Sequence, residues 1–179
     1  MPKKSISEVN RNLKKINKHL KDKARKIKLV LTDNDGVLTD TGVYYSEEGE
    51  IFKRFSIRDG MGVERLRKEL GVETGIITGE ISGSIKKRAE KLKIKELLLG
   101  VSEKHLLLSE ILKRNNLKPE NIAYIGDDVN DIELMRLVGL TASPADGMAE
   151  IRKMVDYVCE QNGGHGAFRE FAELIIALN

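Results

Sequence analysis

Six short apolar runs alternate along this chain with helical segments, and no other feature limits the fold as much. Residues 27–32, 72–77, 96–99, 121–125, 139–142 and 157–158 read as strands. Residues 60–70, 81–92, 103–115 and 129–137 read as helices between them, and a last helix is expected over 167–178. In the 103–115 helix, Leu106, Leu107, Ile111 and Leu112 are expected to point inward. Gly71 closes the first helix, Gly100 closes the third strand, and Pro119 marks the turn before the fourth. Strands separated by helices pair in parallel through right-handed crossovers, so the expected fold class is α/β, a doubly wound parallel sheet.

One stretch breaks the rhythm. Within residues 36–59, Val43-Tyr44-Tyr45 and Ile51-Phe52-Lys53-Arg54-Phe55 flank the polar turn Ser46-Glu47-Glu48-Gly49-Glu50. That pattern predicts a β-hairpin at about 41–57. It projects from the C-terminal end of the first strand, where α/β proteins place their sites.

The charge divides the chain in two. Residues 1–28 hold eleven Lys/Arg against Glu8 and Asp22, whereas the remainder holds 20 basic against 26 acidic residues. Ile6, Val9, Leu13, Ile16 and Leu20 recur at spacings of 3, 4, 3 and 4, one apolar stripe along a basic amphipathic helix over 1–26. The stripe must bury on the domain at 27–179 or on a partner subunit. Basic helices can also touch nucleic acid or anionic lipid. This one carries no aromatic residue, and neither partner is expected. No apolar stretch approaches the ~18 residues of a membrane span. The single cysteine, Cys159, excludes an intramolecular disulfide and is expected to be a buried, inert thiol. The expected location is the cytoplasm.

Two acidic clusters carry the chemistry. Asp33-Asn34-Asp35-Gly36 follows the first strand without a gap, and Gly126-Asp127-Asp128-Val129-Asn130-Asp131 follows the fourth. Carboxylates at one end of a parallel sheet can converge on a hard cation, and magnesium favours such oxygen ligands. Thr78-Gly79 ends the second strand, and Lys104 opens a helix. Fixed donors and cations stabilise the negative charge that spreads over a phosphoryl group in transit.

The ordered set Asp33 to Thr39, Thr78-Gly79, Lys104, and Gly126-Asp127-Asp128 with Asp131 resembles the four motifs of the haloacid dehalogenase superfamily of phosphatases. Within it, residues 27–178 look like the branch acting on phosphorylated 3-deoxy-2-ulosonates, either octulosonate 8-phosphate or nonulosonate 9-phosphates such as those of KDN and N-acetylneuraminate. Arg58-Asp59-Gly60, Ile77-Thr78-Gly79, Tyr124 to Asp128, Pro144-Ala145-Asp146 and Gly163 to Glu170 carry that narrower likeness. The resemblance implies Asp33 as nucleophile forming an aspartyl phosphate, and Asp35 as general acid and base. It implies Thr78 as a donor to the phosphoryl group and Lys104 as the neutralising cation. Magnesium is implied on Asp33, Asp127, the main-chain carbonyl of Asp35, and Asp128 or Asp131.

Only the hairpin is available as a cap, so the implied cap is minimal and the mouth open. The resembling family closes it as a homotetramer, one subunit's hairpin covering its neighbour's site, and Tyr44, Tyr45, Ile51, Phe52 and Phe55 supply apolar surface for that. The sugar-phosphate contacts implied are Arg58, Asp59, Gly60, Gly79, Glu80, Arg88, Lys91 and His165, besides Asp35, Thr78 and Lys104. Two positions depart from the octulosonate pattern: Glu80 and His165 stand where arginines are usual. Rival readings are weaker. A response-regulator receiver places its acidic pair and phospho-acceptor in another order. A non-catalytic domain of the kind appended to sialic acid cytidylyltransferases would be favoured by loss of Asp33, Asp35 or Lys104, and all three are present. No Walker glycine loop occurs.

Overall fold

The computed structural model describes residues 18–179. Helix α1 (Lys18–Ala24) leads into strand β1 (Leu29–Thr32), and the hairpin β2 (Tyr44–Ser46) and β3 (Gly49–Phe52) follows. Then come α2 (Ile57–Leu70), β4 (Glu73–Ile77), α3 (Gly83–Leu92), β5 (Glu96–Leu98), a 3-10 turn (Lys104–Leu107) and α4 (Leu108–Asn115). The last third holds β6 (Ile122–Ile125), a 3-10 turn (Val129–Asp131), α5 (Ile132–Met135), β7 (Leu140–Ser143), α6 (Ala149–Met154), β8 (Tyr157–Val158) and α7 (Ala167–Leu178).

Six strands form one parallel sheet in the order β5-β4-β1-β6-β7-β8, and β2 and β3 form a separate antiparallel pair. Strand side chains alternate between faces. Val30, Ile76, Ala123 and Ile125 therefore join the core beneath α1, α2, α3 and α7. Leu29, Leu31, Ile77, Ile122 and Tyr124 join the one beneath α4, α5 and α6. All four residues of β1 and of β6 are buried, as strands covered on both faces must be. Thr32 pairs with Ile76 and Ile125. That register brings the loops after β1, β4 and β6 to one edge.

Several boundaries differ from the sequence expectation. Helix α2 starts at Ile57 rather than residue 60, because the Ser56 hydroxyl caps it by accepting from the N–H groups of Arg58 and Asp59. The expected 103–115 helix opens as a 3-10 turn, whose tighter winding changes which residue faces the core. Lys104 is buried there, Leu106 is 65% exposed, and Leu107 and Leu112 are only partly buried. The expected 129–137 helix is likewise a 3-10 turn followed by one short α-helical stretch. The hairpin strands lie closer to the turn than expected, the second ending at Phe52 rather than Phe55, and a bridge between Thr39 and Phe55 ties the hairpin's base.

Leu20 and Ala24 of α1 are buried against the domain. Ile6, Val9, Leu13 and Ile16, and with them most of the expected 1–26 helix, lie outside the described residues. Cys159 is buried, its S–H donates to the Ala167 carbonyl at 3.5 Å, and burial pushes its pKa up, which keeps the thiol unreactive. Among the described residues no helix is long and apolar enough to cross a membrane.

Candidate active site

The two acidic loops meet. The Asp33 N–H donates to the Ile125 carbonyl at 3.0 Å, extending the β1–β6 ladder by one bond. Beyond it the chain turns tightly, with the Asn34 carbonyl accepting from the N–H groups of Val37, Leu38 and Thr39. Gly36 makes this turn at φ +80°, and a Cβ there would lie 2.0 Å from Asp127 Oδ2. Both the left-handed backbone and the contact between loops require glycine. Carboxylate oxygens of Asp33, Asp127 and Asp131 all lie within 4.8 Å of one another.

Lys104 holds this cluster together. It is fully buried, with Nζ 2.8 Å from Asp33 Oδ2, 2.7 Å from Asp131 Oδ1 and 3.2 Å from the Tyr124 hydroxyl. Tyr124 in turn donates to Asp131 Oδ1 at 2.6 Å. The other oxygen of Asp131 accepts from the N–H groups of Asp127 (3.0 Å) and Asp128 (3.4 Å). Burial pushes the Lys104 ammonium down, but Asp33 and Asp131 outweigh it, so the amine stays above its ordinary value and charged. Burial also dominates at Asp33, whose pKa rises to about 6 despite Lys104. Asp127 rises to about 8 through burial and the neighbouring carboxylates of Asp33, Asp131 and Asp128.

Burial first, and then the crowding of carboxylates, raises these values, and the residues fit a divalent cation. Among the described residues no donor hydrogen-bonds the Asp127 carboxylate, which faces Asp33 across the cluster. Hard oxygen donors of this kind suit magnesium. Asp131 has both oxygens engaged by the protein and acts by orienting Lys104 and the 127–128 turn. Asp128, expected among the ligands, is exposed and caps its own turn through the Val129 N–H at 2.7 Å. It lies outside the cluster.

Asp35 stands on the hairpin side. Its Oδ1 accepts from Lys53 Nζ at 2.7 Å, from Thr39 Oγ1 at 3.2 Å and from Asn34 Nδ2 at 3.2 Å, while the buried Oδ2 meets no partner. Lys53 was not among the sequence candidates. It lies in the β-rich stretch 51–55, where alternation turns it inward between exposed Phe52 and Arg54. Lys53 also lies 3.6 Å from Glu50, whose other oxygen accepts from Ser82 Oγ. Burial lowers the Lys53 amine, but Asp35, Glu50 and Glu80 together carry it above its ordinary value.

The candidate substrate contacts separate into two groups. Thr78 is buried at the end of β4, its hydroxyl oxygen accepting from the Glu80 N–H at 3.2 Å. Gly79, Glu80, Arg58, Lys91 and His165 are exposed. Asp59 and Gly60, by contrast, serve the fold. Asp59 is buried and accepts from the N–H groups of Gly166 (3.2 Å) and Arg169 (3.0 Å), securing the start of α7, while burial raises its pKa. A Cβ on Gly60 would stand 2.4 Å from Arg88, which donates to the Ser56 carbonyl at 2.7 Å and lies over the Phe55 ring at 5.6 Å. Phe55 is thus packed within its own subunit. The glycine-rich tail also has a packing reason. Gly164, at φ +63°, would put a Cβ 2.2 Å from the Asp40 nitrogen, and one on Gly163 would be 1.9 Å from the Gly36 carbonyl. The tail backbone therefore lies against the 36–40 turn. Asp146 of the Pro-Ala-Asp motif accepts from the Gly163 N–H at 2.9 Å. His165 Nε2 lies 2.9 Å from Arg54 Nη2 at the tail's outer side.

Acidic loops and a buried lysine at the C-terminal edge of a parallel sheet suit an enzyme of phosphoryl transfer. The sequence matches the haloacid dehalogenase-like hydrolase family over residues 92–171. It is 37% identical over 161 residues to the 3-deoxy-D-manno-octulosonate 8-phosphate phosphatase of Salmonella typhi, covering 90% of this chain and 85% of that protein. The crystal structure of the enzyme of that name from Moraxella catarrhalis, in complex with magnesium ion, phosphate ion and KDO, has a TM-score of 0.85 at 35% identity and covers 89% of this chain and 91% of its own. The cobalt-bound form of the deoxy-D-mannose-octulosonate 8-phosphate phosphatase from Haemophilus influenzae has a TM-score of 0.83 at 35% identity, covering 87% of this chain and 91% of its own. The chain belongs to the haloacid dehalogenase-like hydrolases, in the family of 3-deoxy-D-manno-octulosonate 8-phosphate phosphatases, and it is a phosphoric monoester hydrolase.

Proposed function

We propose that the protein hydrolyses the phosphate monoester of a 3-deoxy-2-ulosonate, foremost octulosonate 8-phosphate, with magnesium as cofactor. The observation that carries this reading is the buried Lys104 bridging Asp33 and Asp131 beside Asp127. Asp33 attacks phosphorus in line, its oxygen–phosphorus bond forming as the bond to the sugar oxygen breaks. Asp35 gives its proton to the departing alkoxide. It then takes a proton from water, which attacks the aspartyl phosphate, releasing inorganic phosphate and restoring Asp33. Lys104 balances the charge of Asp33 and the phosphoryl oxygens, and Thr78 donates to them. Asp33, Asp127 and the Asp35 carbonyl would hold magnesium, which when bound neutralises phosphate charge.

The names of the relatives favour the octulosonate substrate. Glu80, in the position after Thr78-Gly79, and His165 favour a second reading, a nonulosonate 9-phosphate such as that of KDN or N-acetylneuraminate. On the hairpin Tyr44, Tyr45, Ile51 and Phe52 are exposed, a surface suited to a second copy of the chain in a homotetramer. Side-by-side kcat/KM values on octulosonate 8-phosphate, KDN 9-phosphate and N-acetylneuraminate 9-phosphate test the substrate. The first is expected to lead, and a generic hexose phosphate outpacing all three would overturn the assignment. Phosphate release is expected to stop on chelation and to return with magnesium.

A further inference from the structure

The hydrogen bonds around Asp35 are one-sided. Three donors, from Lys53, Thr39 and Asn34, converge on Oδ1, and none reaches Oδ2, although both oxygens belong to one partly buried side chain. The Lys53 side chain is only 1% exposed, so its charge is not shared with solvent. It leaves the hairpin directly after β3 and also faces Glu50, which is bound by Ser82 just ahead of α3. A continuous polar chain, Asp35–Lys53–Glu50–Ser82, thus joins the loop after β1, the hairpin and the loop after β4.

We propose that Lys53 is a positioning residue for the reaction. It pins Oδ1 of Asp35 and fixes the plane of the carboxyl group that exchanges a proton with the leaving group and then with water. The hairpin is therefore part of the acid–base machinery. This inference rests on the role given to Asp35 in the proposed function and adds the residue that orients it.

The test uses two leaving groups. An alkyl sugar phosphate needs its alkoxide protonated as it departs, whereas 4-nitrophenolate leaves unaided. General acid catalysis is worth about 10²–10⁴-fold. In Lys53→Met, kcat/KM for octulosonate 8-phosphate is expected to fall about 100-fold or more. For 4-nitrophenyl phosphate kcat/KM should change less than about 5-fold, because that ratio reports only the steps through departure of the leaving group. The same variant should show a burst of 4-nitrophenolate, since the later attack of water still needs Asp35 as base. Lys53→Arg should recover part of the alkyl activity. Thr39→Val, which removes a second donor to Oδ1 and keeps the backbone bridge from Thr39 to Phe55, should give the same selectivity in smaller degree. Equal losses on both substrates in Lys53→Met and Thr39→Val, or no loss on either, would overturn the inference. Asp35→Asn separates it from the underlying reading: that variant must show the leaving-group selectivity in full, and equal losses there would instead remove Asp35 as the acid.

Discussion

The buried nest around Lys104 and the exposed hairpin lie side by side on one sheet edge and are built on opposite terms. In the nest, Lys104, Asp33, Asp131 and Tyr124 are shut away from water and each polar atom is answered by another. On the hairpin, Tyr45 is 67% exposed and Tyr44 stacks on Phe52 with ring centroids 4.5 Å apart, both rings half in solvent. Charge buried at such cost persists where it is needed in a defined place, whereas apolar surface left in water suits contact with something else. Lys53 is the exception that connects the two regions, a buried cation of the nest's kind carried by the hairpin.

Four experiments can break or sharpen this contrast. The largest effect belongs to Asp33→Asn, which should lower kcat by about 10⁴-fold or more while leaving the fold intact. Unchanged turnover would take away its role as nucleophile. Next is Lys104→Met, which leaves Asp33 and Asp131 facing each other in a dry pocket. Removing one partner of a buried ion pair costs about 3–5 kcal/mol, so denaturant midpoints should fall clearly as well as activity. A variant inactive yet as stable as the parent would mean that water already reaches the nest.

The third experiment is a pH series on chelated protein. The folded pKa of Asp127 stands near 8, above the value of a carboxyl group in the unfolded chain, and that of Asp33 near 6. A raised carboxyl pKa contributes stability at low pH that is lost as pH climbs through the folded value. The melting temperature of the metal-free protein should therefore drop on the order of 5 °C between pH 5 and 9. Asp127→Asn should flatten most of that slope, and added magnesium should reverse it. A flat profile in the chelated parent would show that the cluster is not short of positive charge. The smallest effect on stability is expected at the hairpin. Tyr45→Ser with Ile51→Ser should leave the stability of the single subunit within about 0.5 kcal/mol, as exposed substitutions do. The same pair should weaken self-association in sedimentation experiments and raise KM. An unchanged association state would remove the hairpin as a contact between copies.

Much of this was legible in the residues. The alternation of strands and helices set out the parallel sheet, and the DxDG and GDD clusters stood at strand ends because those strands are apolar without interruption. Lys104 and Thr78 were recognisable only as members of an ordered set. Other features were not legible, for identifiable reasons. Asp59 sits in a motif with Arg58 and Gly60 and looks like a surface contact, yet its carboxylate is consumed by two N–H groups of a helix start more than a hundred residues away. Gly163 and Gly164 suggest a ligand loop, but their lack of side chains serves a backbone that presses on the 36–40 turn. Lys53 was hidden among apolar neighbours.

By itself the sequence determined the order of strands and helices, the hairpin's insertion after β1, and the presence of acidic loops at two strand ends, since these follow from periodicity and chain order. Only the tertiary structure decided which carboxylates face inward. Asp127 joins the cluster while Asp128, one position on, points to its own backbone; Asp131 is spent on Lys104 and Tyr124. Adjacent residues in a turn differ by a rotation that no composition reveals, and a buried charge settles wherever partners from distant segments can satisfy it.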